Sequence, residues 1–286
     1  MTQSLFVQRA CQTVFAGLAC CLCLQAAAVQ ASVEPADTAL SPVEISAHAI
    51  NRDQKPYHDL ARVLDIFDRE HAKLAPNASL RFTLYPWRDT TSMQDLKLVL
   101  RGNSVHKPIA LASDGSFVLE RDAAALGDDA QVVSNRQSRS LAWRADIRTP
   151  GLPPNTRRLG DLRLECKADL EGAGAGLATG IKTPSFWAIA AVTDPCMVRG
   201  VAYVWIAEQA LFGITLVSGE RRQALSSDFI LVTFARGGIF AFMDWQEHLH
   251  DRAYTLPLWD TSWPDDTLVQ LEYVDDQTST SAKVQP

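Results

Sequence analysis

Two histidines one residue apart, His248 and His250, lie in the segment Asp244-Trp-Gln-Glu-His-Leu-His-Asp251. On a strand, alternate side chains share a face. The pair would then offer two imidazoles to one metal ion, with a carboxylate nearby as third ligand, an arrangement suited to metal-assisted hydrolysis. No His-Glu-x-x-His spacing accompanies them, and an exposed polar segment uses the same residue types. A second set comprises Trp245, Trp259, Trp263, Asp265 and Asp266. Indole faces stack on sugar rings and carboxylates bind hydroxyls, so these five are candidates for a ligand-binding site, carbohydrate first. Glycoside hydrolysis is not expected of them, because its two carboxylates stand about 5–9.5 Å apart across a cleft. Adjacent aspartates diverge, and a turn after Pro264 uses them equally well.

Other motifs fail on spacing. A Walker loop needs Gly, four residues, then Gly-Lys-Ser/Thr. Gly180 is followed by Ile181 before Lys182-Thr183, and Ala175 stands five positions earlier. A dinucleotide fingerprint on Gly172 and Gly174 requires glycine where Leu177 stands. The stretch 172–180 therefore reads as flexible low complexity. No serine sits in a Gly-x-Ser-x-Gly elbow. No catalytic residue is assigned and no cofactor is implied. The pairs Arg157-Arg158 and Arg221-Arg222 read most simply as solvated loops.

The chain has six cysteines. Cys11, Cys20, Cys21 and Cys23 fall in the first 31 residues, which leaves Cys166 and Cys196. Residues 1–31 carry one basic side chain (Arg9), an apolar run from Val14 to Leu24, and small residues Val29 and Ala31 before Ser32. That order is the pattern of a cleaved secretory signal peptide. The run is too short to span a bilayer, which needs about 20 helical residues. An uncleaved anchor and lipidation on a cysteine fit less well, since Cys20 and Cys21 lack the Leu-x-Ala/Gly context. Export implies an oxidising compartment, periplasmic or extracellular. There an isolated cysteine pair is most simply a disulfide, Cys166–Cys196. The net charge of −6 argues against nucleic acid and anionic membrane surfaces as partners. No transmembrane segment is expected after the signal.

These groups would be positioned by a mainly β protein: one or two antiparallel sandwich-like lobes with one accessory N-terminal amphipathic helix. Residues 32–55 read as a flexible leader, with two prolines among 32–43. The helix spans about 57–74, with Leu60, Val63, Leu64, Phe67, His71 and Leu74 on one face. Pro56 suits its start, and Pro76 lies beyond its end. Strands are expected near 80–86, 95–101, 107–111, 116–120, 130–134 and 140–145. Asp114-Gly115 marks a hairpin turn. The segment Arg148-Thr-Pro-Gly-Leu-Pro-Pro-Asn155 is the candidate boundary between a lobe at 56–150 and a second at 151–275. In the second, Asp161–Cys166 reads as a strand alternating Leu162, Leu164 and Cys166. Further strands are expected near 185–192, 200–207, 211–218, 229–235 and 267–274. Trp143, Trp187 and Trp205 read as core, and 276–286 as a disordered tail.

The run from Pro108 through Asp114-Gly115 to Phe117-Val-Leu resembles the apolar strand, Asp-Gly turn and F-x-L strand of carboxypeptidase-regulatory-like and other transthyretin-like sandwiches, around residues 80–145. RLGDLRLEC (158–166) with SWPDDTLV (262–269) resembles exported bacterial β-rich proteins of unknown function. The resemblance implies a periplasmic β protein and transfers no functional residue. The expected function is an uncharacterised binding role, non-catalytic and envelope-associated, with another envelope protein as partner. A carbohydrate-binding protein and the metal-assisted hydrolase are the alternatives.

Overall fold

In a computed structural model, which describes residues 51–87, 90–172, 194–199, 203–230 and 251–274, the one strongly amphipathic segment forms helix α1 (Tyr57–Leu74). Pro56 stands at its N-cap, and the Ala75 N–H donates to His71 O at 2.8 Å just before Pro76. Tyr57, Leu60, Ala61, Val63 and Ile66 are buried, and Leu64, Phe67 and Leu74 pack beside them. The strip ahead of α1 is not free leader. Arg52–Pro56 is a strand, β1, whose buried Asp53 accepts from the N–H groups of Ser140 (2.7 Å) and Leu141 (2.9 Å) and from the Trp143 indole (2.8 Å). Three donors on one carboxylate pin it.

The chain is mainly β and antiparallel. Strands β2 (Ser79–Pro86), β3 (Leu98–Arg101), β4 (His106–Ile109), β5 (Ser116–Phe117), β6 (Gln131–Gln137) and β7 (Leu141–Arg148) follow α1, with a short helix α2 (Ala123–Gly127) between β5 and β6. They form two sheets, ordered β1-β6-β3-β4 and β5-β2-β7. Period-two alternation aims Leu98, Leu100 and Val132 from one sheet, and Phe82, Phe117, Trp143 and Ile147 from the other, into a single core with α1. Gly115 turns with φ +79° as expected, but β4 and β5 lie in different sheets, so the Asp114-Gly115 turn carries the chain between sheets and closes no hairpin.

After a turn rich in proline come β8 (Thr156–Arg158), helix α3 (Leu159–Lys167), β9 (Trp205–Ile206), β10 (Leu211–Ser218), β11 (Arg221–Ala224), β12 (Ala253–Tyr254) and β13 (Leu268–Tyr273). Their sheets run β11-β10-β13-β8 and β12-β9. The loop expected after Ser218 is a tight hairpin: Ser218 pairs with Arg221 across Gly219-Glu220, with Gly219 at φ +58°, as a two-residue turn of type II′ requires.

Asp161–Cys166 is not a strand. It lies in α3, which is buried on every side. Leu159, Leu162, Cys166 and Leu170 enter a second core with Trp205, Tyr254 and Trp263, while Leu164 and Ala168 enter the first. All-round burial erases the one-sided stripe that marks a surface helix, and the residual alternation mimics a strand. Segment 148–155 therefore divides two cores that share one helix. Cys166 and Cys196 form a disulfide with S–S 2.08 Å, fastening α3 to the turn at Pro195–Met197. The expected signal at 1–31, the leader up to residue 50, Trp187, the strand near 185–192 and the tail at 276–286 lie outside the described residues, as do 173–180 of the glycine-rich stretch and 231–235 of the strand expected near 229–235.

Candidate functional site

Among the described residues, strand β7 pairs with β2 alone and stands at the edge of its sheet. Its core face carries Trp143, Ala145 and Ile147. Its other face carries Arg144, Asp146 and Arg148, and Arg144 and Asp146 are buried too. An uncovered edge presents a row of unpaired N–H and C=O groups. Here α3 and the π-helical turn that continues it (Ala168–Gly172) cover it with carboxylates. Asp161 accepts from the Thr149 N–H (2.7 Å) and hydroxyl (2.8 Å), Glu165 from the Ile147 N–H (3.0 Å), and Asp169 from the Ala145 N–H (3.0 Å). The spacing has a geometric reason. Four helical residues rise about 6.0 Å and two strand residues about 6.6–6.8 Å, so an i, i+4, i+8 series matches alternate N–H groups of an antiparallel neighbour.

Arginines neutralise this ladder. Arg157 donates from Nη2 to both Glu165 (2.8 Å) and the Ile147 carbonyl (2.9 Å). Arg144 lies 3.7 Å from Asp169 and 4.6 Å over the Tyr203 ring, and it donates to the Val204 carbonyl; the Tyr203 hydroxyl donates to Asp169. Asp146 accepts from Arg81 (2.9 Å) and Arg148 (2.8 Å). Burial pushes the Glu165 carboxyl up to about 7, against the pull of Arg157. Burial also raises Asp169, opposed by Arg144, and Asp161, opposed by the Thr149 bonds. Asp146 is buried as well, yet Arg157, Arg148 and Arg81 around it hold it below the usual range.

Beside the network lies a cavity of about 230 Å³. Its wall is the Thr149–Asn155 turn, in which Gly151 (φ +77°) and Asn155 (φ +56°) take left-handed conformations. Arg148, Arg157, Glu208, Tyr254 and Tyr273 bring its charged and phenolic side chains. The Arg148 Nη1 sits 3.1 Å from Glu208 Oε1 at the exposed rim. Arg157 is only 9% exposed at its side chain, and its Nε–H, itself shut off from solvent, has no hydrogen-bond partner among the described residues. Burial raises the Tyr254 hydroxyl well above its ordinary range, so the phenol stays protonated and able to donate.

The residues singled out for chemistry fall elsewhere. Trp263 is 1% exposed, and the Arg221 guanidinium stands 3.5 Å over its ring. Trp259 is half-buried, with Arg199 4.7 Å over its ring. Both indoles thus carry a guanidinium on a face that a sugar would need. Asp265 binds Arg163 at 2.6 Å, and the same guanidinium donates to the carbonyls of Leu258 (3.1 Å) and Asp260 (3.0 Å). Asp265 is therefore a brace for the 257–267 segment, while Asp266 is exposed. Trp245, His248 and His250 lie outside the described residues, among which no cluster of three or more potential metal ligands occurs.

Arg157 is not a solvated loop residue: it is buried among carboxylates. Neither it nor Arg148, Glu208, Tyr254 or Tyr273 was marked by a motif. The available signal was the four-residue spacing of Asp161, Glu165 and Asp169, close to the alternating Arg144, Asp146 and Arg148. Segments 158–166 and 262–269 meet: the N–H groups of Leu159 and Gly160 donate to Thr267 O and Asp265 O, each at 2.8 Å, and β8 pairs with β13. Comparison of the chain with family models, curated proteins and solved structures found no match.

Proposed function

We propose that the chain is an exported, non-catalytic binding protein of the cell envelope, active in an oxidising compartment. The observation that carries this is how the buried carboxylates are used. Asp161, Glu165 and Asp169 are held by the N–H groups of Thr149, Ile147 and Ala145, and the cavity beside them brings two guanidinia, two phenols and, at its rim, Glu208. Such a set donates hydrogen bonds. Its one carboxylate, Glu208, is tied to Arg148, so the set has neither an activated nucleophile nor an unpaired base, as catalysis of acyl or glycosyl transfer needs. The Cys166–Cys196 disulfide fits an oxidising environment. No described helix is long and apolar enough to cross a membrane.

The test is crosslinking in the native host with a C-terminal tag, followed by fractionation and identification of what co-purifies. A reproducible envelope protein in near-equal amount supports the proposal. Recovery in the cytoplasmic fraction, or no enriched partner, counts against it.

A further inference from the structure

We propose that the outer face of the sheet β11-β10-β13-β8 docks a second copy of this chain. The surface is independent of the binding role above. The inner face of that sheet gives Ile214, Leu216, Val269 and Leu271 to the second core. Residues directly opposite each other in an antiparallel pair share a face. The outer side therefore carries a row of Arg222, Val217, Leu268 and Arg158, with Thr215 and Gln270 in the next row and Gly213 and Glu272 beyond them. Val217 and Leu268 are half-buried and belong to neither core. At the Glu272 end, Phe212 at the bulge in β10 is 62% exposed and Val274 is 49% exposed. They are two of the four large apolar side chains so exposed among the described residues, and both lie at one end of one face.

The charges select the occupant. Among the described residues Arg158 has no ion pair, and Arg222 donates only to the neutral Gln270 side chain at 2.9 Å. Glu272 accepts from the Thr215 hydroxyl at 2.8 Å and has no cation. The face is thus cationic at one end and anionic and apolar at the other. Thr215 and Gln270 stand midway: Gly213 and Val217 flank the first by two residues, Glu272 and Leu268 the second. A two-fold axis along this middle row reverses the strands of the second copy. Val217 of each copy then lies over Gly213 of the other, where no side chain stands, with Phe212 beside it. Glu272 of each copy comes to the Leu268 position of the other, next to Arg158. An axis parallel to the strands would instead set the arginine rows against each other, which like charge forbids. Four strands about 4.8 Å apart and six residues long at about 3.4 Å cover roughly 400 Å² per copy in projection. That is about half of the ~800 Å² per partner in a standard interface, so the dimer is reversible.

The test is analytical ultracentrifugation of the purified, disulfide-bonded protein from about 5 to 500 μM, the range in which a weak pair is read. A reversible monomer–dimer equilibrium that loosens with added salt is the expected result. Phe212→Ser, Arg158→Glu and Glu272→Arg should each raise the dissociation constant at least about tenfold. The double variant Arg158→Glu/Glu272→Arg should return it to within about threefold of the parent, because the swapped charges meet again across the axis. A far-UV spectrum like the parent's confirms folding of each variant. Arg158 also caps α3, and if its variants fail to fold, the exposed Phe212 still gives the readout. A chain that stays monomeric throughout, a dimer indifferent to Phe212→Ser, or a folded double variant no tighter than the single charge reversals overturns the proposal. An envelope protein whose capture is lost in Phe212→Ser, while the chain itself stays monomeric, overturns the second copy and gives the face to that partner.

Discussion

The Arg157–Glu165 pair should behave as one unit, and a double-mutant cycle reads that directly. Glu165→Met strands a buried guanidinium, which costs about 3–5 kcal/mol. It also bares the Ile147 N–H that Glu165 now satisfies, for about 1–3 kcal/mol more. Arg157→Met strands a carboxylate and bares the Ile147 carbonyl. In the double variant no charge is stranded. Only the two backbone groups of Ile147 are bare, and two flexible apolar side chains fill the space, so the net loss should be about 2–4 kcal/mol. The double variant is therefore expected to be more stable than Glu165→Met alone, with at least about 3 kcal/mol of coupling. Urea unfolding at pH 7.5, followed by tryptophan fluorescence, gives the four midpoints and slopes. Additivity within about 0.5 kcal/mol, or a double variant less stable than Glu165→Met, would refute the pairing.

Glu165 also sets a pH dependence. Its carboxyl is raised from 4.5 to about 7, so between those values the folded chain holds a proton that the unfolded chain has lost. Stability should then fall as pH rises through this window, by up to about 3 kcal/mol, and the raised Asp161 and Asp169 push the same way. Asp146 acts oppositely, its contribution being lost only as pH falls below about 3.8. A urea midpoint that is flat or rising from pH 5 to 7.5 contradicts the expectation. Reducing Cys166–Cys196, which are 30 residues apart, should cost about 3–4 kcal/mol by loop entropy, and unchanged unfolding in dithiothreitol would show the bridge to be idle. Gly160→Ala places a Cβ 2.0 Å from Leu74 O and 2.9 Å from Asp265 O, so the backbone must move. A loss of about 1–3 kcal/mol is expected, and a melting temperature within a degree of the parent would mean that α1 and α3 are not so closely packed.

Local pattern was enough for α1, whose stripe and flanking prolines fix both ends without reference to any neighbour. The same holds for β2, β7, β10 and β13, where residues alternate or run apolar over six to eight positions. The cysteine pairing was legible because only two of the six cysteines lie beyond residue 31. Asp53 shows the opposite case: nothing in Asn51-Arg-Asp-Gln marks it as the cap of a turn 87 residues away.

Helix α3 could not be recognised by period, because both of its apolar faces are buried and its third face is charged. Its lack of any β-branched residue was the one local hint. The candidate ligand residues shifted for a related reason. Trp263 and Asp265 look available when the chain is extended, and only the folded arrangement gives them Arg221 and Arg163 as partners. Composition and periodicity thus determined that this protein is mainly β, has one amphipathic helix and joins its two late cysteines. Which charges are buried, and which guanidinium is left with an open donor, was decided by tertiary structure. Burial and pairing of a charged group depend on residues distant in sequence, and no local pattern encodes them.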